Sequence, residues 1–165
     1  LSSAHTYLVA LGSNQPSARH GSPRDILAKA ADWLDGLGQC LAMAPVIASD
    51  PVGPSLRRYA NGAALVATDL APPQMLAALQ GIEAEAGRER RGQRWRSRTL
   101  DLDIVLWSGG SWSAPGLQIP HPQFRQRSFV LAPASMIAPD WRDPVTGFTL
   151  RQLNARLTRN RPAPR

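Results

Sequence analysis

From Leu100 to Trp107 the chain alternates, with Leu100, Leu102, Ile104 and Leu106 on one side and Asp101, Asp103, Val105 and Trp107 on the other. A period of two belongs to a strand, and a strand with one apolar side needs a sheet with a covering layer. The residues before it show what covers it. Tyr7, Leu8, Val9, Ala10 and Leu11 form an apolar run closed by Gly12, Ser13 and Asn14, a strand leaving into a turn. Ser22 and Pro23 open a helix in which Ile26, Ala30, Trp33, Leu34 and Leu37 recur at helical spacing, until Gly36 and Gly38 stop the pattern. Residues 44–49 read as a second strand and residues 59–68 as a third, separated by a loop of Asp50, Pro51, Val52, Gly53 and Pro54. Pro72 and Pro73 begin a second helix with Met75, Leu79, Ile82 and Ala86 on one face and Gly87 at its end. The order β-α-β-β-α-β predicts an α+β fold: a ferredoxin-like βαββαβ core with an antiparallel sheet and flanking helices. A short hairpin within residues 112–119, a proline-punctuated loop and a last helix around residues 150–157 complete the reading.

A chain of 165 residues is about one domain's worth, so residues 1–165 are expected to form a single unit with fraying at 1–5 and 159–165. Cys40 is the only cysteine, which excludes an intrachain disulfide, a Cys-x-x-Cys redox pair and cysteine-rich metal sites and points to a cytoplasmic setting. No run approaches the roughly 18 apolar residues of a membrane span. Of 19 basic residues the only lysine is Lys29, between Ala28 and Ala30. There is therefore no Gly-Lys-Ser/Thr phosphate loop and no Schiff-base lysine in a cofactor motif. Any phosphate must be held by arginine, backbone or metal.

Asp101 and Asp103, at i and i+2 of a strand, point the same way with Cα atoms about 6.5 to 7 Å apart. Two carboxylates so placed repel unless a cation lies between them, and such hard oxygen ligands suit Mg²⁺ carrying substrate phosphates. The alternative is the solvated face of an edge strand. Immediately upstream, residues 88–98 hold six arginines and a glycine, a cationic loop beside an anionic pair. Arginine's planar fork donates two parallel hydrogen bonds to phosphate oxygens. Without the aspartates, the same loop would read as a solvated basic segment or a nucleic-acid patch.

Tyr59 and Asn61 share a face at the start of the third strand and offer an aromatic plane and a donor-acceptor edge, which suits a flat heterocycle. A Tyr there is also a common core residue. His121, between Pro120 and Pro122, adds a polar-aromatic cluster with Arg125, Arg127 and Phe129.

Taken in order and spacing, these segments resemble the 6-hydroxymethyl-7,8-dihydropterin pyrophosphokinase family of the folate pathway. The matching residues are Ala10 through Asn14, Pro51 and Gly53, Tyr59 and Asn61, Glu83 and Arg88, Arg94 and Trp95, Arg98 through Ile104, Pro120 through Pro122, and Arg127, Phe129, Val130, Leu131 and Pro133. The resemblance implies transfer of diphosphate from ATP to the pterin's hydroxymethyl group with release of AMP. It also implies two Mg²⁺ ions on Asp101 and Asp103, with Arg88 and Arg98 acting beside those aspartates. ATP contacts would fall to Gln80, Glu83, Arg90, Trp95, Arg98, Ile104, His121 and Arg127. The pterin would meet Ser49, Asp50, Val52, Tyr59, Asn61, Trp95 and Phe129, with Tyr59 and Phe129 on the two ring faces. A monomer that binds neither nucleic acid nor membrane is expected.

The chain departs from the family's usual pattern in places. Arg96 and Ser97 stand between Trp95 and Arg98, where a small residue and a proline are usual. Gly116, Gln118 and Pro122 replace an Arg, a Thr and a Tyr of some members. A βαββαβ plan with a pI near 11.1 also describes an RNA-binding RRM domain, although the third strand carries one aromatic where an RRM stacks several. A paralogue that binds ATP or pterin without catalysis is a third reading.

Overall fold

The structure, a computed structural model, describes residues 3–49, 59–87 and 99–159. Along the chain run β1 (His5–Ser13), α1 (Pro23–Asp35), β2 (Gln39–Met43), β3 (Ile47–Ser49), β4 (Tyr59–Thr68), α2 (Pro72–Ala86), β5 (Asp101–Trp107), β6 (Trp112–Ala114), β7 (Leu117–Ile119), α3 (Ser128–Ile137) and α4 (Leu150–Arg159). The main sheet has the order β2-β4-β1-β5, all antiparallel, with β3 also paired to β4. This is the expected ferredoxin-like arrangement, with β2 and β3 together serving as the second strand.

Local chemistry explains the helix starts. The Ser22 hydroxyl accepts the Asp25 N–H at 3.2 Å and the Asp25 carboxylate accepts the Ser22 N–H at 3.0 Å, a reciprocal cap with Pro23 at the first helical position. At α2, the Gln74 side chain accepts the Ala71 N–H at 3.0 Å ahead of the Pro72-Pro73 start.

Three expectations need correction. The second strand was expected at residues 44–49; pairing runs instead over Gln39–Met43 and Ile47–Ser49, because Pro45 has no N–H for the ladder. Leu106 was expected on the same face as Leu102 and Ile104. A bulge leaves Val105 unpaired between the Leu8–Leu106 and Val9–Ile104 pairs, which turns Leu106 to the opposite face. The proline-punctuated loop contains α3, which tolerates Pro133 inside it.

The sheet is consequently buried on both sides. Tyr7, Val9, Leu11, Ala64, Val66, Leu102 and Ile104 pack with the apolar residues of α1 and α2. Leu8, Ala63, Val105 and Leu106 pack with Leu131 and Ala134 of α3 and Leu150 and Leu153 of α4. At one end of this second face the packing stops, and there the polar residues collect.

Candidate active site

Strand register builds the first cleft. Gly12 of central β1 lies between Asn61 of β4 and Asp101 of β5, and Ala10 lies between Ala63 and Asp103. Residues paired in one row project to the same face, so two rows place Asn61 on one wall, the carboxylates on the other, and Gly12 and Ala10 on the floor. A Cβ on Gly12 would stand 3.8 Å from Asn61 Oδ1, 3.9 Å from Asp101 Cβ and 3.9 Å from Tyr59 Cδ1. The missing side chain keeps this floor low. Arg127, Phe129 and Val130 complete the opposite side of a cleft of about 330 Å³, with Ser49 and Tyr59 at its β3–β4 end.

Asn61 is 3% exposed and its amide Nδ2 donates to the Ser49 hydroxyl at 2.7 Å. That bond holds one of the two amide N–H donors against the wall and turns Oδ1 over Gly12, where it can accept from a ligand N–H.

A second cleft, about 420 Å³, lies along the edge of β5 that faces away from β1. Leu76, Leu102, Ile104 and Leu117 give it an apolar wall, while Gln118 and His121 supply polar groups. Asp103 lines both clefts, and it alone does so among the described residues.

His121 is fixed at this junction. Its N–H donates to the Val105 carbonyl at 3.0 Å, and its ring Nδ1 accepts the Gln123 N–H at 3.1 Å. A neutral ring held in this way carries its proton on Nε2. Burial pushes the imidazole pKa down, against the nearby Asp103 charge and with the help of Arg127. Arg127 donates through Nη2 to the Gln123 side-chain oxygen, and its guanidinium lies 5.7 Å from the Phe129 ring centroid.

Residues 8–139 match the 7,8-dihydro-6-hydroxymethylpterin-pyrophosphokinase (HPPK) family. The chain belongs to this family. It is 43% identical over 139 residues to the 2-amino-4-hydroxy-6-hydroxymethyldihydropteridine pyrophosphokinase of Pseudomonas aeruginosa, covering 82% of each chain. To the enzyme of the same name from Synechocystis it is 44% identical over 101 residues, 61% of this chain and 51% of the relative. A crystal structure of a Plasmodium falciparum HPPK-DHPS triple mutant superposes with a TM-score of 0.66 over 94% of this chain at 12% identity. That likeness shows the fold, and this chain spans 44% of the length of that one.

The HPPK fold thus brings together Ser49, Tyr59, Asn61, Asp101, Asp103, Arg127 and Phe129 in one cleft, and Asp103, Ile104 and His121 in the other. Gln80 is exposed on α2 and lines neither cleft. Glu83 also lines neither; its carboxylate accepts the Leu102 N–H at 2.9 Å. The candidate residues Asp50, Val52, Arg88, Arg90, Trp95 and Arg98 lie outside the described residues. Sequence reasoning missed the floor residue Ala10, the apolar wall of Leu76 and Leu117, and the pairing of Arg125 with Asp143. For Ala10 and Gly12 the signal was present: small residues on the central strand, in register with polar neighbours on both sides.

Proposed function

We propose that the first cleft takes 6-hydroxymethyl-7,8-dihydropterin and the second takes ATP, so that diphosphate passes between them beside Asp103. The reaction is a diphosphate transfer of folate biosynthesis: the pterin's hydroxymethyl oxygen bonds to the β-phosphorus and gives up its proton to solvent, the bond from that phosphorus to the α-side bridging oxygen breaks, and AMP leaves with that oxygen. The observation that carries this reading is the meeting of the two clefts at one carboxylate.

Each residue then has a physical task. Tyr59 and Phe129 offer ring faces to the pterin, and Asn61 Oδ1 accepts from its edge. Leu76, Ile104 and Leu117 take the flat adenine. The Nε2–H of His121 and the fork of Arg127 donate to phosphate oxygens, charge-assisted in the case of Arg127. Reaction of this class depends mainly on positioning and on neutralising charge, and both clefts are built on rigid strands. By family resemblance, Arg88 and Arg98 act beside the aspartates, Arg90, Trp95 and Arg98 contact ATP, and Trp95 also meets the pterin.

The donor set fits Mg²⁺. Asp101 and Asp103 are hard oxygen donors on one strand face, and among the described residues no group of three or more His, Cys, Asp or Glu side chains forms a closed cage. A site with two protein carboxylates is the kind that Mg²⁺ completes with substrate phosphates. Two bound Mg²⁺ ions would supply positive charge to the phosphate oxygens.

The RNA-binding reading is not favoured. An RRM binds RNA on an open sheet face, whereas here α3 and α4 pack on one face and α1 and α2 on the other. No described helix is long and apolar enough to cross a membrane. Both clefts come from one chain, so the reading asks for no second copy, and a cytoplasmic setting suits its free Cys40. The test is to incubate the protein with ATP, Mg²⁺ and the pterin: AMP should form only when the pterin is present, and folded protein that forms none would sink the assignment.

A further inference from the structure

Asp143 is fully buried, lies outside both clefts, and is saturated with hydrogen bonds. Arg125 donates to its carboxylate through Nε at 2.5 Å and Nη2 at 2.8 Å, the Thr146 hydroxyl at 2.7 Å and the Val145 N–H at 3.0 Å. Its backbone closes the same loop, with Asp143 N–H donating to the Phe148 carbonyl at 2.9 Å and Gly147 N–H to the Asp143 carbonyl at 2.8 Å. The loop is a preformed receptor for one guanidinium.

That guanidinium sits in a telling place. Arg125 is the middle residue of a 3-10 turn, Phe124–Gln126, and its charge also lies 4.7 Å from the centroid of the buried Phe124 ring. The turn joins His121, on the nucleotide cleft, to Arg127 and Phe129, on the pterin cleft. An exposed ion pair would contribute little, but removing one partner here strands a buried charge. We propose that the Arg125–Asp143 pair is a positioning device for substrate binding: it locks the 3-10 turn and so sets His121, Arg127 and Phe129 across both clefts. The proposal rests on the assignment of those three residues to substrate.

Steady-state kinetics of Asp143→Asn, Arg125→Lys and Thr146→Val, each assayed well below its own Tm, test this. Asp143→Asn should raise KM for both substrates about tenfold with kcat little changed, because Asp101 and Asp103 stay on β5. Arg125→Lys keeps the charge but loses the fork, and Thr146→Val removes one of the four bonds, so both should raise KM less. If Asp143→Asn does not fold, the other two variants carry the test. A lower Tm with wild-type KM values in the folded variants would make the pair merely structural and overturn the proposal. Arg127→Ala and Phe129→Ala serve as references. If they raise KM while the clamp variants do not, the clamp fails and the site stands; if they too are silent, the site assignment falls and the proposal with it.

Discussion

The Glu83 carboxylate accepts the backbone N–H of Leu102 at 2.9 Å, and Leu102 is the residue between the two carboxylates of β5. β5 ends the sheet, so this N–H, turned away from β1, would otherwise lack a ladder partner. Helix α2 supplies one, and thereby fixes the stretch of strand from which Asp101 and Asp103 project. Leaving such an N–H unsatisfied costs about 1–3 kcal/mol. Glu83→Ala should therefore lower Tm and turnover together, while Glu83→Gln, which keeps an acceptor oxygen, should retain most of both. Thermal melts alongside initial rates check this; a Glu83→Ala protein with wild-type values of each would show that the bond does not matter.

Gly12 separates the roles of the two clefts. Its absent side chain forms the floor of the first cleft, the one proposed for the pterin, and is not part of the second, proposed for the nucleotide. The contacts of 3.8 to 3.9 Å that await a Cβ are ordinary van der Waals distances, so Gly12→Ala should fold normally. Gly12→Val extends two further carbons into the space for the ring and should weaken pterin binding by at least about tenfold, roughly 1.4 kcal/mol. Calorimetric titration with each ligand gives the answer. Equal loss of nucleotide binding would argue against two separate clefts.

Ser49 orients Asn61 through the 2.7 Å bond between them. A neutral hydrogen bond contributes about 1 kcal/mol net, so Ser49→Ala should weaken pterin binding several-fold by letting the amide turn. Asn61→Ala, which removes the acceptor itself, should cost more. Titrations that rank the two variants the other way round would place the contact on Ser49 rather than on the amide.

Much of this site could be read in the sequence because its determinants are local. The i, i+2 spacing of Asp101 and Asp103 fixes a shared face whatever the rest of the chain does. The Ser22-Pro23 helix start needs only neighbours in sequence. What escaped notice depends on partners far along the chain. The bulge that reverses Leu106 shows only in the register of β5 against β1. Helix α3 carries an internal Pro133 and was hidden by the rule that proline ends helices, although its apolar residues are held by the sheet face they cover. The bond from the Leu102 N–H to the Glu83 carboxylate, 19 residues apart, has no local pattern that would announce it. Arg125 and Asp143, 18 residues apart, carry no local pattern that would pair them.

Asp143 also sets an acid limit on stability. Burial pushes its carboxyl pKa up, but the bonds from Arg125, Thr146 and Val145 outweigh this and bring it from 3.8 down to about 2. Between these values the unfolded chain binds more protons at this position than the native protein does. The stabilisation is therefore fully present above pH about 4 and is lost as the pH falls towards 2. Melting wild type and Asp143→Asn across that range should show the gap between their Tm values closing as the pH falls; a gap constant from pH 5 to 2 would mean that the carboxylate's charge is not what the fold holds.

The central claim is that diphosphate crosses from one cleft to the other at Asp103. Single-turnover reactions with ATP labelled at the β-phosphorus test it directly, in wild type and in Asp103→Ala. The wild type should move the label onto the pterin with one AMP formed per label transferred, and Asp103→Ala, folded to the same Tm, should lose transfer by several orders of magnitude. Label released as free phosphate without pterin, or normal transfer by Asp103→Ala, would contradict the account.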